Sequence, residues 1–416
     1  MPLLTGPLLR AHPHYRIFLA ARFLFIMAMQ MVNTAIAWYL YELTHNVMSQ
    51  GWLGISEVIP AIGLALYAGH RVDRSNKRLM LVRGMSAYLV AVTGLTVVTY
   101  AGWSNYAGIL ATSLSIYLLI FCTGIFRAFT GPTFNAMVAQ LVDRQWLPKA
   151  ITMSSTAWQT AAVLGPVVGG FILAKAGITI MMGVAILLLA AGCLAATQLP
   201  NLPVQHSNPE QRTWASVKEG VQFVWRTKEV LTALSLDMFA VFFGGAVAML
   251  PVYAKDILHV DATGMGILKA AQGIGTVFIL FMLTRYPLQK QQGRKLLLSV
   301  AMFGVCIIVF ALSKSFMLSF AALLLSGVFD GVSVVVRSTI MQLYVPDGMR
   351  GRVSSVNSMF INSSNEIGQM ESGIAAKLLG TVPSVIFGGC MTLLVVAISW
   401  WKAPTLRHLQ YKHGRT

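Results

Sequence analysis

Long apolar runs alternate with short polar intervals along the whole chain. A bilayer crossing takes about 20 apolar residues, and on that measure the pattern predicts twelve helical spans. They fall at about 17–41, 51–70, 79–101, 106–128, 150–174, 178–199, 231–253, 263–284, 296–313, 316–338, 355–378 and 382–401. A membrane β-barrel would show short alternating segments instead, and the chain has none. The longest polar interval, residues 200–230, opens with Pro200, Pro203 and Pro209, which stop a helix. Thr213 is a fitting N-cap for a new helix. Trp214, Val217, Val221, Val224 and Trp225 then recur at helical spacing, away from Lys218, Gln222 and Arg226. This predicts an amphipathic helix that either lies on the membrane surface or packs on protein.

The pattern divides the chain into a six-span bundle (1–199), a linker with its helix (200–230), a second six-span bundle (231–403) and a tail (404–416). The halves look like a repeat. Asn76-Lys77-Arg78-Leu79-Met80-Leu81 after span 2 is echoed by Gly293-Arg294-Lys295-Leu296-Leu297-Leu298 after span 8. Gln140-Leu141 and Lys149 after span 4 are echoed by Gln342-Leu343 and Arg352 after span 10. Two similar bundles that rock about a central site are the architecture of alternating access.

Composition agrees with this class. The chain has 416 residues, 56% of them hydrophobic and 11% charged, with mean hydropathy +0.68. The net charge of +17 invites a nucleic-acid reading, but its placement answers a different demand. With the N-terminus in the cytoplasm, most Lys and Arg fall in cytoplasmic loops and tails; the opposite side holds only Lys175, Lys255, Lys314 and Lys377. That bias sets topology and puts both termini in the cytoplasm, in an inner (plasma) membrane. Cys122, Cys193, Cys306 and Cys390 each sit inside a predicted span without metal-ligand spacing, and the histidines are scattered. No metal, cofactor or nucleic-acid partner is expected, and no phosphate-binding loop suggests ATP. The first apolar stretch is too long and too polar, at Gln30, Asn33 and Thr34, for a cleaved signal.

The candidate chemistry lies in charges that interrupt the spans. Arg22 is in span 1, Glu57 in 2, Arg127 in 4, Asp237 in 7, Lys269 in 8, Asp330 and Arg337 in 10, and Glu366 and Glu371 in 11. Spans 6, 9 and 12 carry none, and span 3 has only Arg83 near its end. Charge at bilayer depth is costly and normally faces a bundle interior or a watery cavity. The third span of each triplet, charge-free in 6, 9 and 12 and with only Arg83 in 3, therefore predicts four three-helix units around a cavity. Glu366 and Glu371 are separated by about 140° around the helix and cannot share a face. Glu366, Asp330 and Asp237 are the leading proton-coupling candidates, with Glu57 and Glu371 as further ones. Each has a structural alternative: Glu371 paired with Lys269 or Lys377, Glu57 supporting the backbone loosened by Pro60. Asp330 and Arg337, seven apart, share a face, with Arg337 reaching the cytoplasmic boundary. Arg22, Asn33, Arg127, Lys269, Arg337 and Asn362 are candidate substrate-cavity residues, Arg127 with an interfacial role as its alternative. Phe239, Phe242, Phe329, Met359 and Phe360 could add an adaptable apolar wall.

Three motifs resemble those of the major facilitator superfamily. Gly69, Asp73, Arg74, Lys77 and Arg78 match its signature loop after span 2, with Asn76 where the family usually has Gly. Asn tolerates left-handed geometry, so the turn can survive. The resemblance implies that Asp73 sits against the N-terminus of span 11. Gly165, Pro166, Gly169 and Gly170 in span 5 resemble the antiporter motif of exporters, and Arg127 with Gly131 the basic motif of span 4. His12-Pro13-His14-Tyr15-Arg16, Met349-Arg350-Gly351-Arg352-Val353 and Asn362 to Gly373 resemble the enterobactin-exporter and macrolide-efflux branch. The resemblance implies an all-α polytopic protein of two pseudo-symmetric six-helix bundles. It further implies a monomeric secondary exporter of siderophores or amphipathic drugs, driven by protons and not an enzyme. Many relatives carry a coupling acid in span 1, and this chain has none. The rival readings are an uptake symporter of the same fold and a lipid-translocating protein.

Overall fold

A computed structural model describes residues 7–73, 75–100, 103–201, 213–286, 288, 291–346 and 349–407. The described residues are helical with no strand. In order the helices are α1 (Pro7–Ala11), α2 (Pro13–Thr44), α3 (Met48–Asp73), α4 (Lys77–Val98), α5 (Trp103–Leu141), α6 (Leu147–Thr197), α7 (Thr213–Arg226) and α8 (Lys228–Phe243). They continue with α9 (Leu250–Val252), α10 (Ala262–Arg285), α11 (Gln292–Leu312), α12 (Phe316–Tyr344), α13 (Arg350–Leu379), α14 (Thr381–Lys402) and α15 (Pro404–Arg407). Among the described residues nine stretches are long and apolar enough to cross a membrane. The stretch 144–197 holds the expected spans 5 and 6, separated at Gly177, whose φ of 80° is open to glycine but rarely to other residues. Helices α3 and α13, 26 and 30 residues long, correspond to the expected spans 2 and 11. The twelve-span fold agrees with this count. Leu110, Leu187 and Phe281 are 70% or more exposed within these helices, as lipid-facing side chains are.

Span 7 departs from the continuous helix that its apolar run over 231–253 predicts. Helix α8 ends at Phe243, a 3₁₀ turn covers Ala246–Met249, and a π turn covers Tyr253–Ile257. Gly244-Gly245 weakens helix propagation, and Pro251 supplies no amide donor. The carbonyls of Phe242 and Phe243 at the break meet Gly368 of α13 and Gly388 of α14, where any side chain would collide with them. Glycine on the neighbours is what lets the backbone open here.

The chain divides into two compact units: Met1–His45, Ser56–Glu210 and Asp261–Gly266 form one, and Asn46–Ile55, Gln211–Val260 and Ile267–Thr416 the other. The first unit is held by an aromatic chain through α2, α4 and α5: Tyr15 on Phe18, Phe18 and Phe25 on Phe134, and Phe25 on Tyr88, with ring centroids 5.2–5.8 Å apart. The Tyr15 hydroxyl also donates to the Ala150 carbonyl at 2.5 Å, tying α2 to α6. The second unit has an aliphatic core that includes Leu234, Leu297, Val300, Val336, Ile340 and Val353. Linker helix α7 joins this core through buried Val224, and Glu219 forms an ion pair with Arg352 of α13. One face of α7 is thereby packed on protein, while Trp225 stays exposed.

One kind of helix crossing occurs in both units. A Cβ on Gly124 of α5 would stand 3.2 Å from the Glu57 carbonyl of α3 and 2.6 Å from the Pro60 ring. In the second unit Gly327 of α12 faces the Gln272 carbonyl of α10, and Gly275 of α10 faces the Leu324 carbonyl, both with no room for a side chain. The Thr276 hydroxyl donates to the Gly327 carbonyl at 3.0 Å, locking that crossing. Close backbone approach through glycine is the usual way membrane helices gain packing energy without a hydrophobic drive.

Candidate functional site

Each crossing carries ionisable groups on its next turn. In the first unit Arg127, three residues after Gly124, forms an ion pair with Glu57. The pair turns Arg127 toward protein and gives Glu57 a counter-charge. Pro60 packs against Gly124, which brings the two helices close enough for the charges to meet.

In the second unit Arg337 of α12 forms an ion pair with Asp237 of α8. They are 6% and 5% exposed, so the pair is dry. The sequence alone puts Arg337 at the membrane boundary; it is drawn inward because Asp237 offers a counter-charge that water would otherwise supply. Asp330 lies two turns earlier on α12, within electrostatic range of both Asp237 and Arg337. Two carboxylates thus surround one guanidinium. Removing such groups from water is tolerated only when charge is balanced, so this cluster is one positive charge short whenever both acids are ionised.

Two other cations have no carboxylate partner among the described residues. Lys269 of α10 makes no ion pair there. Arg22 of α2 donates from Nη1 to Ser154 Oγ of α6 at 2.7 Å and from Nη2 to Asn135 Oδ1 of α5 at 3.2 Å. Its guanidinium carbon stands 5.7 Å from the Phe134 ring centroid. Neither pairing expected for Glu371, with Lys269 or with Lys377, occurs among the described residues; its carboxylate lies beside the Ser372 hydroxyl. Asn33 is half-buried on the same face of α2 as Arg22, eleven residues on. The side chains of Asn362 and Glu366 lie outside the described residues.

The motif residues act through helix ends and helix approach. Arg74 lies outside the described residues, as do the side chain of Asp73 and any contact of Gly69. Asn76 does not take the left-handed geometry expected from its place in the loop: at φ −64° it caps α4, its side chain accepting from the Leu79 amide at 3.1 Å. Capping uses the same short polar side chain that suits turns, so the replacement of glycine costs nothing. Lys77 is buried. Arg78 bonds the Thr197 carbonyl at the end of α6 and Asn201 Oδ1 at 3.1 Å, meeting acceptors that a helix C-terminus leaves unpaired. In α6, Gly165 and Gly169 let α2 approach at Met27 and Met31. Gly170 faces the Ala262 carbonyl, and the Pro166 carbonyl faces Gly266.

Arg22's neutral partners Ser154 and Asn135 were not legible beforehand. Neither stands out by type, and both lie more than a hundred residues away in sequence.

The profile of the Major Facilitator Superfamily matches residues 18–369. The chain is 24% identical over 413 residues to the enterobactin exporter EntS of Escherichia coli strain K12, covering 98% of this chain and 96% of that protein. Among solved structures it is similar to a bacterial homolog of the human lysosomal transporter Spinster in an inward-facing and unoccupied conformation. The TM-score there is 0.73 at 14% identity, with 96% of this chain and 99% of the other covered. It is also similar to the nucleoside transporter NupG, with TM-score 0.70 at 14% identity and 92% and 97% covered. At these identities the structures speak for the fold alone.

Proposed function

Because the chain belongs to the Major Facilitator Superfamily, and so is a multi-pass membrane transporter and not an enzyme, we propose that it exports a small amphipathic molecule by proton-coupled alternating access. The observation that carries the coupling is the Asp237–Arg337–Asp330 cluster, a buried ion pair with half-buried Asp330 beside it. With two acids and one fixed cation, the cluster keeps its charge balanced by holding one proton while it is shielded from water; exposed to water, it can release it. A cycle that wets and dries this cluster moves protons. Glu366 and Glu371 on the polar helix α13 are further acids of the pathway, whereas Glu57, matched by Arg127, is a structural one.

Export, and a siderophore-like or drug-like cargo, are supported by full-length similarity to an enterobactin exporter. Residues 1–199 and 231–403 serve as the two rocking bundles, joined by 200–230 and followed by the tail 404–416, in a monomer with both termini cytoplasmic in the inner membrane. Arg22, Asn33, Lys269 and Asn362 face the cargo; Gly69, Asp73, Arg74, Lys77 and Arg78 with Gly165, Pro166, Gly169 and Gly170 guide the conformational change.

The test is pH-driven flux in proteoliposomes with Asp237→Asn, Asp330→Asn and Glu366→Gln, each made singly. Loss of pH-driven flux with retained counterflow in the Asp330 variant is the expected result. Full coupled transport in all three variants would refute the assignment, and accumulation towards the cytoplasmic side in oriented vesicles would make the protein an importer.

A further inference from the structure

Arg22 is a half-buried cation that forms no ion pair with a carboxylate among the described residues. The helices that frame it, α2, α5 and α6, contain one acidic residue between them, Glu42. Twenty residues of helix separate Glu42 from Arg22, about 30 Å at the α-helical rise. The adjacent helix α4 adds only Lys77, Arg78 and Arg83. Three arginines elsewhere are differently placed: Arg127 has Glu57, Arg337 has Asp237, and Arg352 has Glu219.

The guanidinium is nevertheless held in place. Ser154 Oγ takes one donor and Asn135 Oδ1 another, while Nε is buried with no acceptor among the described residues. A guanidinium has five N–H donors, so more than half of this one's capacity is unmet. Asn135 is exposed, which leaves one side of the group open. On another side stands the Phe134 ring. A rigid fork of donors, fixed by neutral oxygens and flanked by an apolar ring, is built to receive a planar oxyanion.

We infer that Arg22, positioned by Ser154 and Asn135, binds the oxyanion of a small amphipathic organic acid. The inference rests on the transport reading and adds the charge class of the cargo: a carboxylate or similar oxyanion joined to an apolar body. A lipid phosphate carries the same chemistry, and the test separates the two sources.

Purified protein in nanodiscs of phosphatidylcholine is titrated with benzoate, and separately with benzamide, its neutral shape-mate, up to about 10 mM, where even weak sites fill. The readout is the unfolding midpoint, which a ligand of the folded state raises. Benzoate is expected to raise the midpoint and benzamide not. Arg22→Gln should abolish the benzoate response and Arg22→Lys, which keeps charge but loses the fork, should weaken it. Asn135→Asp guards against a folding artefact. It sets a carboxylate against the guanidinium, so it should raise the midpoint of the free protein while abolishing the benzoate response.

Equal responses to benzoate and benzamide, no benzoate response, or a response that survives both Arg22→Gln and Asn135→Asp would overturn the inference. So would a midpoint that rises with added phosphatidylglycerol in wild type but not in Arg22→Gln and leaves benzoate without effect, because the site then serves lipid. Counterflow of benzamide and benzoate in proteoliposomes reads the carrier function separately: flux of both, untouched by the variants, keeps the transporter and removes only the anion site.

Discussion

Replacing Arg337 by Met tests the charge cluster most directly. The side chain is 6% exposed and its partner Asp237 is 5% exposed, so neither can turn to water when the other is lost. Removing one member of such a buried pair costs roughly 3–5 kcal/mol, most of it the penalty of the orphaned charge. Taken with the midpoint change of about 2–4 °C per kcal/mol for a unit of some 200 residues, the loss is roughly 6–20 °C. Two acids are orphaned here, Asp237 and Asp330, so Arg337→Met should be the worst single change in the cluster. Asp237→Asn should be milder, because Arg337 retains Asp330 within electrostatic range. The double change Asp237→Leu with Arg337→Met should recover part of the loss by leaving fewer unpaired charges. Differential scanning fluorimetry in detergent at neutral pH, repeated in acid, provides the assay. Acid supplies protons to the orphaned carboxylates, so the gap between Arg337→Met and wild type should narrow as pH falls. A variant that melts within about 2 °C of wild type, or a double variant worse than either single one, would show that the pair is not dry and that the balance argument fails.

The packing sets four further outcomes. Gly327→Ala, which drives a methyl into the Gln272 carbonyl, should cost roughly 1–3 kcal/mol by thermal denaturation, and more than Ala at exposed Gly131, where nothing stands within 4 Å. Asn76→Ala removes the cap of α4 and should cost about 1 kcal/mol, while Asn76→Asp should be neutral or better. Glu219→Gln breaks a half-exposed ion pair and should change stability by less than about 1 kcal/mol. Gly220→Val should instead undock α7, since even a Cβ there meets the Arg352 carbonyl at 3.0 Å; faster tryptic cleavage within 213–226 is the readout.

The spans were legible in the sequence because lipid imposes one requirement on every lipid-facing position, and apolar length reports it. Charge depth was legible for the same reason. Charge partners were not. Glu57 meets Arg127, and Asp237 meets Arg337, across helices whose mutual rotation is set by Gly124, Pro60 and other contacts, not by spacing along one helix. The seven-residue interval did put Asp330 and Arg337 on one face, yet it carried no information about α8 opposite them. The break in span 7 had a visible signal in Gly244-Gly245 and Pro251, which the apolar continuity of 231–253 masked. Asn76 is the opposite case: its type is a visible signal in the loop, but it works as a cap and not through left-handed backbone.

The paired crossings carry an evolutionary consequence. Gly124 against Glu57 and Gly327 against Gln272 share one plan, as descent from a single duplicated ancestor would leave them. On the next turn one copy has Arg127 and the other Asp330. After duplication each copy was free to diverge at that position while its sibling kept the scaffold intact. The first settled into a neutral, self-contained joint, and the second was left holding the surplus charge, so a division of labour arose between paralogous halves of one chain.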